Sequence, residues 1–285
     1  MNKKKSVRME DWNPEDDNKK PKTPPKIETI ETPKLTATSD VDNDGIYDII
    51  DNLPCGILYP EGTVIKARPL NVIEVKMLAG MTEDTANDIT NTILERTVIG
   101  IDVDRVYSAD KLYIMFWLRA NTYKESGYNV KFECPRCNTD SEYAFELDKL
   151  NIKTITEENL NLMRDSFKLP NNDVLKFSIL TVGDEKQNEQ FLRENKTSLM
   201  NFDQEIVALC RTIQSINGEK KGMIDKYMYC TETLDPVNYS YLESYMEDKG
   251  AGLEPTINVK CSKCGGASDT MLPFRPDFFL PKYRT

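Results

Sequence analysis

The chain has 285 residues, a net charge of −10 and no histidine. The acidic balance argues against a general electrostatic footprint for nucleic acid. The lack of histidine removes the commonest general base, the Ser-His and Cys-His nucleophile pairs and every His-containing catalytic zinc site. No apolar run approaches the roughly 20 residues that cross a bilayer, and no apolar segment follows the basic start, as it would in a signal peptide. We therefore expect a non-enzymatic protein, made in a cytoplasm and not inserted in a membrane.

Residues 1–45 contain five of the fifteen prolines and show no sustained helical or strand period. This composition predicts a disordered or extended N-terminal arm, because it buries too little apolar surface to offset the entropy of ordering. At its end, Asp40–Asp51 places acidic residues at positions 1, 3, 5, 9 and 12 and glycine at position 6, the layout of a calcium loop. Tyr47 at a position usually held by a small aliphatic residue favours the alternative, a solvated acidic linker.

Residues 46–150 are predicted to form the N-terminal folded region. Asn71 and Glu74 have the spacing of a capping box and predict a helix to about Met81. A second helix is predicted over 83–98, and Ser108 is expected to cap a third. The run 112–118 is apolar on all sides, which is typical of a helix that lies in the core or under a partner; a buried strand is the alternative.

Two short segments nearly repeat each other, and each carries a Cys-x-x-Cys pair after a strand-like run. They contain Cys134 and Cys137, and then Cys261 and Cys264 more than a hundred residues later. Four thiolates in two such pairs make a closed, structural zinc site, so we predict one shared Zn²⁺ in a pair of zinc-ribbon-like β-hairpins. The alternatives are two unrelated reduced pairs or a redox motif, and the latter is disfavoured because neither pair opens a helix.

Residues 151–254 are interpreted as a mainly helical insertion between the two hairpins. Its clearest pattern is the apolar stripe from Asn201 to Ile216, which predicts one helix ending at Asn217-Gly218. Cys210 lies on that stripe and is expected to be a packing residue, as are Cys55 and Cys230. Residues 255–285 hold the second cysteine pair and an aromatic tail with Phe278 and Phe279, which either closes the ribbon or docks on a partner. The predicted fold class is α+β, with a mixed helical core.

The signals between Leu53 and the first cysteine pair follow a distinctive order. They run Leu53-Pro-Cys-Gly56-Ile-Leu-Tyr59-Pro, Asp110-x-x-Tyr113, Leu118-Arg119, Thr122-Tyr123 and Phe132-x-Cys-Pro-x-Cys137. This order resembles the baseplate hub proteins of T4-type contractile-tailed bacteriophages, although Cys55 stands where those proteins carry serine. The resemblance covers roughly residues 50–150, the second cysteine pair and the C-terminal end.

The resemblance implies a structural or assembly protein of the phage tail baseplate hub, located in the virion and binding other tail proteins without catalysis. The strongest alternative is a zinc-ribbon protein that binds nucleic acid or assists transcription. It rests on four basic residues around the cysteine pairs, Lys131, Arg136, Lys260 and Lys263. We favour the tail protein and regard the basic residues as a solvated edge. We also hypothesise that Phe278 and Phe279 are buried in a baseplate partner.

Overall fold

A computed structural model describes residues 35, 45–123, 128–164, 166–197, 201–272 and 274–280, without the side chains of 161–164, 248 and 249. Apart from Leu35 and Gly45, the predicted N-terminal arm lies outside these residues. Positions 40–44 of the acidic loop lie outside them too. Within the described ranges, no helix is both long and apolar enough to cross a bilayer.

The described residues form a mixed α+β structure, as the sequence predicts. The helices are α1 (Val72–Ala79), α2 (Ala86–Thr97), α3 (Ser108–Thr122), α4 (Glu157–Arg164), α5 (Val182–Glu194), α6 (Gln204–Thr212), α7 (Met223–Met228), α8 (Pro236–Lys249) and α9 (Pro276–Phe279). The strands are β1 (Tyr47–Asp48), β2 (Lys66–Ala67), β3 (Val98–Ile99), β4 (Tyr128–Glu133), β5 (Asp140–Phe145), β6 (Asn151–Lys153), β7 (Phe167–Lys168), β8 (Val174–Phe177), β9 (Ile213–Ile216), β10 (Gly252–Glu254), β11 (Thr256–Lys260) and β12 (Ala267–Met271).

These strands form small antiparallel sheets. Two of them have three strands each, in the orders β1-β2-β3 and β7-β8-β9. The pair β10-β6 joins strands that are distant in the chain, whereas β4-β5 and β11-β12 are hairpins. Each hairpin carries one cysteine pair at its tip, so the sheets bring the predicted ligands to the ends of two rigid ribbons.

Helix α3 is the centre of the larger hydrophobic core. Eleven of its residues are buried, among them Tyr113, Phe116, Trp117 and Leu118. A helix that is apolar on every side must be covered on every side, and the surrounding segments between 35 and 182 and between 253 and 279 supply that cover. The predicted buried helix is therefore confirmed, and the buried-strand alternative is wrong.

The aromatic tail is part of this core. Phe278 and Phe279 are fully buried, and the Phe278 ring lies 4.7 Å from that of Phe116 and 5.0 Å from that of Tyr128. The buried Arg119 donates from Nε to the Phe278 carbonyl oxygen at 2.7 Å. The hypothesis that these phenylalanines dock on a partner is therefore wrong, because α3 needs apolar cover and α9 of the same chain provides it.

A second hydrophobic cluster lies within residues 167–246 and contains Cys210 and Cys230, both buried. Their predicted role in packing agrees with this position. The predicted helix to Ile216 is wrong, because α6 ends at Thr212 and Ile213–Ile216 form β9 against β8. Asn217 and Gly218 both have positive φ, at 52° and 82°, and turn the chain after that strand. Ile213 and Ile216 are buried and pair with Phe177 and Leu175 of β8. A helix that continued to Ile216 would lose this strand pairing.

The start of α3 also differs from the prediction. Ser108 is the first helical residue, and no side chain caps the helix. Instead, the Ser108 amide donates to the Leu180 carbonyl at 2.9 Å, and Tyr107 forms a bridge with Thr181. A backbone contact from a distant segment therefore takes the place of the predicted serine cap.

Asn71 and Glu74 form the capping box that their spacing predicts at the start of α1. Asn71 Oδ1 accepts from the Glu74 amide at 3.1 Å, and Glu74 Oε2 accepts from the Asn71 amide at 2.8 Å. The fully buried Glu74 carboxylate also accepts from Arg68 at 2.7 and 2.9 Å and from Arg96 at 3.2 Å. Burial alone would raise the pKa of this carboxyl, but the hydrogen bonds outweigh it and lower the pKa to about 2.

Glu74 should therefore make the protein sensitive to acid. The ordinary pKa near 4.5 describes the unfolded chain, so the stabilisation by the Glu74 carboxylate is present above pH 4.5. It should be lost as the pH falls towards about 2. Urea unfolding at a series of pH values should show a shallower loss of unfolding free energy for Glu74→Gln than for the wild type. Glu83→Gln, at an exposed position before α2, is the control and should keep the wild-type slope; equal slopes for all three proteins would contradict the role of Glu74.

Candidate metal centre

The two hairpin tips have the same backbone geometry. In the first, the Cys134 amide donates to the Thr139 carbonyl at 3.0 Å and the Asn138 amide donates to the Cys134 carbonyl at 2.8 Å. In the second, the Cys261 amide donates to the Gly266 carbonyl at 2.9 Å and the Gly265 amide to the Cys261 carbonyl at 2.9 Å. The near-repeat in the sequence is therefore also a repeat of hydrogen bonds.

The residue after the second cysteine of each tip has a positive φ, 48° at Asn138 and 67° at Gly265. Asparagine and glycine are the residues that adopt this left-handed conformation at the lowest cost. Each turn brings the two thiols of its Cys-x-x-Cys pair to one side of the hairpin tip. The turn residues in the sequence thus explain how each tip presents its sulfurs.

The structure brings all four predicted cysteines together. The sulfurs of Cys134, Cys137, Cys261 and Cys264 all lie within 4.8 Å of one another, and all four are free thiols. The distance between Cys134 Sγ and Cys264 Sγ is 3.7 Å, as is that between Cys137 Sγ and Cys261 Sγ. A tetrahedral zinc ion with Zn–S bonds of about 2.3 Å holds its sulfurs about 3.8 Å apart. Both short distances join one hairpin to the other, so the four thiols make one group that could bind a metal.

Groups around Cys137 and Cys261 lower the pKa of these thiols and favour the thiolate form that binds metal, whereas the pKa of Cys264 is raised to about 11, because burial and the neighbouring thiols outweigh the hydrogen bond from the Gly266 amide. Ser141 Oγ lies 3.2 Å from Cys261 Sγ, and the Gly266 amide donates to Cys264 Sγ at 3.4 Å. Hydrogen bonds from Ser141 and from the backbone amides of Cys264 and Lys263 lower the pKa of Cys261 to about 6. Ser141 could not be identified from the sequence, since a serine in a strand has no spacing that marks it as a neighbour of a sulfur.

Comparison with known proteins gives one family. The family of the T4 bacteriophage base plate protein matches residues 27–280, almost the whole chain. The chain belongs to this family. No curated protein and no solved structure matches it. The resemblance found in the sequence is thus confirmed at the level of the base plate family, which supports a structural role in the phage tail, in contact with other tail proteins.

Residues that carry the resemblance to baseplate proteins meet in the structure. Asp110, in the first turn of α3, accepts from the Cys55 amide at 2.8 Å through Oδ1 and from the Tyr59 hydroxyl at 2.7 Å through Oδ2. The Tyr59 hydroxyl in turn accepts from the Tyr107 amide at 3.1 Å. Burial raises the pKa of Asp110 to about 6, against the lowering effect of these hydrogen bonds. These hydrogen bonds therefore fix the segment before β2 on the start of α3, which is a structural task.

The hairpins of this base plate family member do not form a basic surface. Within residues 128–145 and 256–271, the four basic side chains are balanced by four acidic ones, Glu133, Asp140, Glu142 and Asp269. Lys263 donates to Thr139 Oγ1 at 3.2 Å and so links the two tips. The balance of charge weakens the alternative of a nucleic-acid-binding ribbon, because phosphate contacts depend on an excess of basic side chains.

Proposed function

We propose that this protein is a structural or assembly component of the baseplate hub, and that it acts by binding other tail proteins. In this proposal, Cys134, Cys137, Cys261 and Cys264 hold one structural Zn²⁺. The zinc joins region 46–150 to region 255–285 across the insertion 151–254. The protein acts without catalysis and without binding nucleic acid.

The observation that carries the proposal is the convergence of two hairpin tips that are far apart in the sequence. Four sulfur ligands complete a tetrahedral zinc shell, whereas catalytic zinc sites keep a position open for water or substrate. A metal held in this way contributes to folding and performs no reaction. A rigid element in a base plate protein suits a part that must keep its shape while neighbouring proteins assemble on it.

A phage with this gene deleted should form tails that lack a complete baseplate, and a plasmid copy of the wild-type gene should restore them. A hub role predicts that the centre of the baseplate is lost while more peripheral parts still assemble. Complementation with Cys261→Ser should fail, because the variant lacks one of the four ligands. Electron microscopy of particles from infected cells provides the measurement.

The matched complementation control is Cys230→Ser, which replaces a buried cysteine outside the metal cluster. Restoration of baseplates by this variant, together with failure of Cys261→Ser, would tie assembly to the metal centre. Complete baseplates in the deletion phage would overturn the functional assignment. Rescue by Cys261→Ser would leave a baseplate role in place but contradict the role of the zinc.

A further inference from the structure

A groove of about 640 Å³, lined by polar and charged residues, lies between α2 and α5. The lining side chains on each helix are spaced three and four residues apart, so each helix contributes one face to the groove. The charged residues that line it are four carboxylates and two basic side chains: Asp88, Glu95, Glu189, Glu194, Lys186 and Arg193. The groove thus carries an excess of negative charge.

The two basic side chains are already paired. Lys186 Nζ lies 2.6 Å from Asp104 Oδ1 and 3.3 Å from Glu95 Oε1. Arg193 Nη2 lies 3.3 Å from Glu189 Oε2.

Two carboxylates of the groove have no cationic partner among the described residues. Glu194 accepts from the neutral amide of Gln190 at 2.8 Å, and no hydrogen bond or ion pair of the Asp88 carboxylate is found there. The negative charge that remains is therefore concentrated at Asp88 on α2 and Glu194 on α5.

Asn91 adds a second, independent feature to the groove. It lies on the same face of α2 as Asp88, lines the groove, and is 5% exposed. Its Oδ1 has no hydrogen-bond partner within the part of the chain that the structure describes. A buried carbonyl oxygen without a donor is costly, and few persist in native proteins without a reason. A donor brought by a bound group would satisfy it.

The arrangement does not suit a metal ion. In the described residues, the cysteine cluster is the one group of three or more acidic, histidine or cysteine side chains whose ligand atoms converge. The carboxylates of the groove are spread along two helices instead. Lysine and arginine side chains are extended and carry only hydrogen-bond donors, so they match both the separated carboxylates and the Asn91 acceptor.

We propose that the groove between α2 and α5 binds a basic segment of a partner protein, whose lysine or arginine side chains pair with Asp88 and Glu194 and donate to Asn91. The charge of the groove and the orphaned acceptor both select a cationic donor. Arginine suits the site best, because its planar group can donate to a carbonyl and a carboxylate at once. This site does not involve the zinc or a place in the hub, so its failure would leave the proposed function standing.

The test is fluorescence anisotropy with the full chain and a labelled peptide, Ala-Arg-Ala-Ala-Ala-Arg-Ala. The wild type should bind it, more weakly at physiological than at low ionic strength. Asp88→Asn/Glu194→Gln should weaken binding about tenfold at low ionic strength, since two exposed ion pairs are lost. Asn91→Leu should also weaken binding without lowering the urea midpoint of unfolding, because it removes an unsatisfied polar group.

The matched control is Glu205→Gln/Glu232→Gln, which changes the net charge equally at exposed positions outside the groove. It should alter binding by less than about twofold, because both side chains are exposed to solvent and neither lines the groove. The proposal would be overturned if the wild type did not bind the peptide, or if the control weakened binding as much as the groove variant. It would also be overturned if free spermidine displaced the peptide at an equal concentration, because the site would then bind small cations.

Discussion

Replacement of Cys261 by serine should abolish zinc binding and destabilise both hairpins. The wild type should contain one zinc per chain by elemental analysis. Cys261 Sγ lies 3.7 Å from Cys137 Sγ on the other hairpin, so the loss of one ligand removes a link between the two. Apparent binding free energies of structural zinc sites are on the order of 10–16 kcal/mol in small domains, and this energy is folding energy. Hydrogen exchange should therefore become faster in β4 and β5, although the substitution lies beyond β11.

The control is Cys230→Ser, since Cys230 is buried beside Cys210 in the second hydrophobic cluster. This variant should retain one zinc per chain and wild-type hydrogen exchange in β4 and β5. Zinc-free wild-type protein, or protein with two zinc ions per chain, would contradict a single shared site. Faster exchange confined to β11 and β12 in Cys261→Ser would show that the tips are stabilised independently.

The parts of the structure that could be predicted are those that local patterns determine. The capping box of Asn71 and Glu74 needs only residues three apart. The apolar run 112–118 needs only its own composition to indicate a buried helix. The two cysteine pairs could be assigned to one shared site because the segments that carry them are similar in sequence. This similarity indicated a contact between segments that are more than a hundred residues apart.

The wrong predictions arise where distant segments compete with a local pattern. Ile213 and Ile216 continue the apolar spacing of α6, but pairing with β8 draws them into a strand. Ser108 has the residue type of a cap, yet the carbonyl of Leu180 satisfies its amide. The groove between α2 and α5 could not be predicted either, because Asp88 and Glu194 are distant in the sequence and line the same groove only in the folded chain. The spacing of residues along the sequence gives no information about these contacts between distant segments.

Phe278→Ala should lower the free energy of unfolding by about 3–5 kcal/mol, the usual cost of removing a buried phenylalanine side chain from a core. Phe278 is fully buried and its ring contacts Phe116, Tyr128 and Phe279. Its truncation would leave a cavity against α3, the helix around which the larger core is built. Urea unfolding, followed by circular dichroism, gives the change in free energy.

Leu280→Ala is the matched control, because Leu280 follows α9 directly but is 37% exposed. It should cost less than about 1 kcal/mol of unfolding free energy.

Below its unfolding transition, Phe278→Ala should still bind one zinc per chain. Phe278 contacts Tyr128 at the start of β4, whereas Cys134 follows the other end of that strand, about 20 Å away at about 3.3 Å per residue. The two substitutions should therefore have separable effects: Cys261→Ser should lose the metal, and Phe278→Ala should lose packing alone. Wild-type stability of Phe278→Ala would mean that the tail is not held by α3, and would return it to the surface as a docking segment.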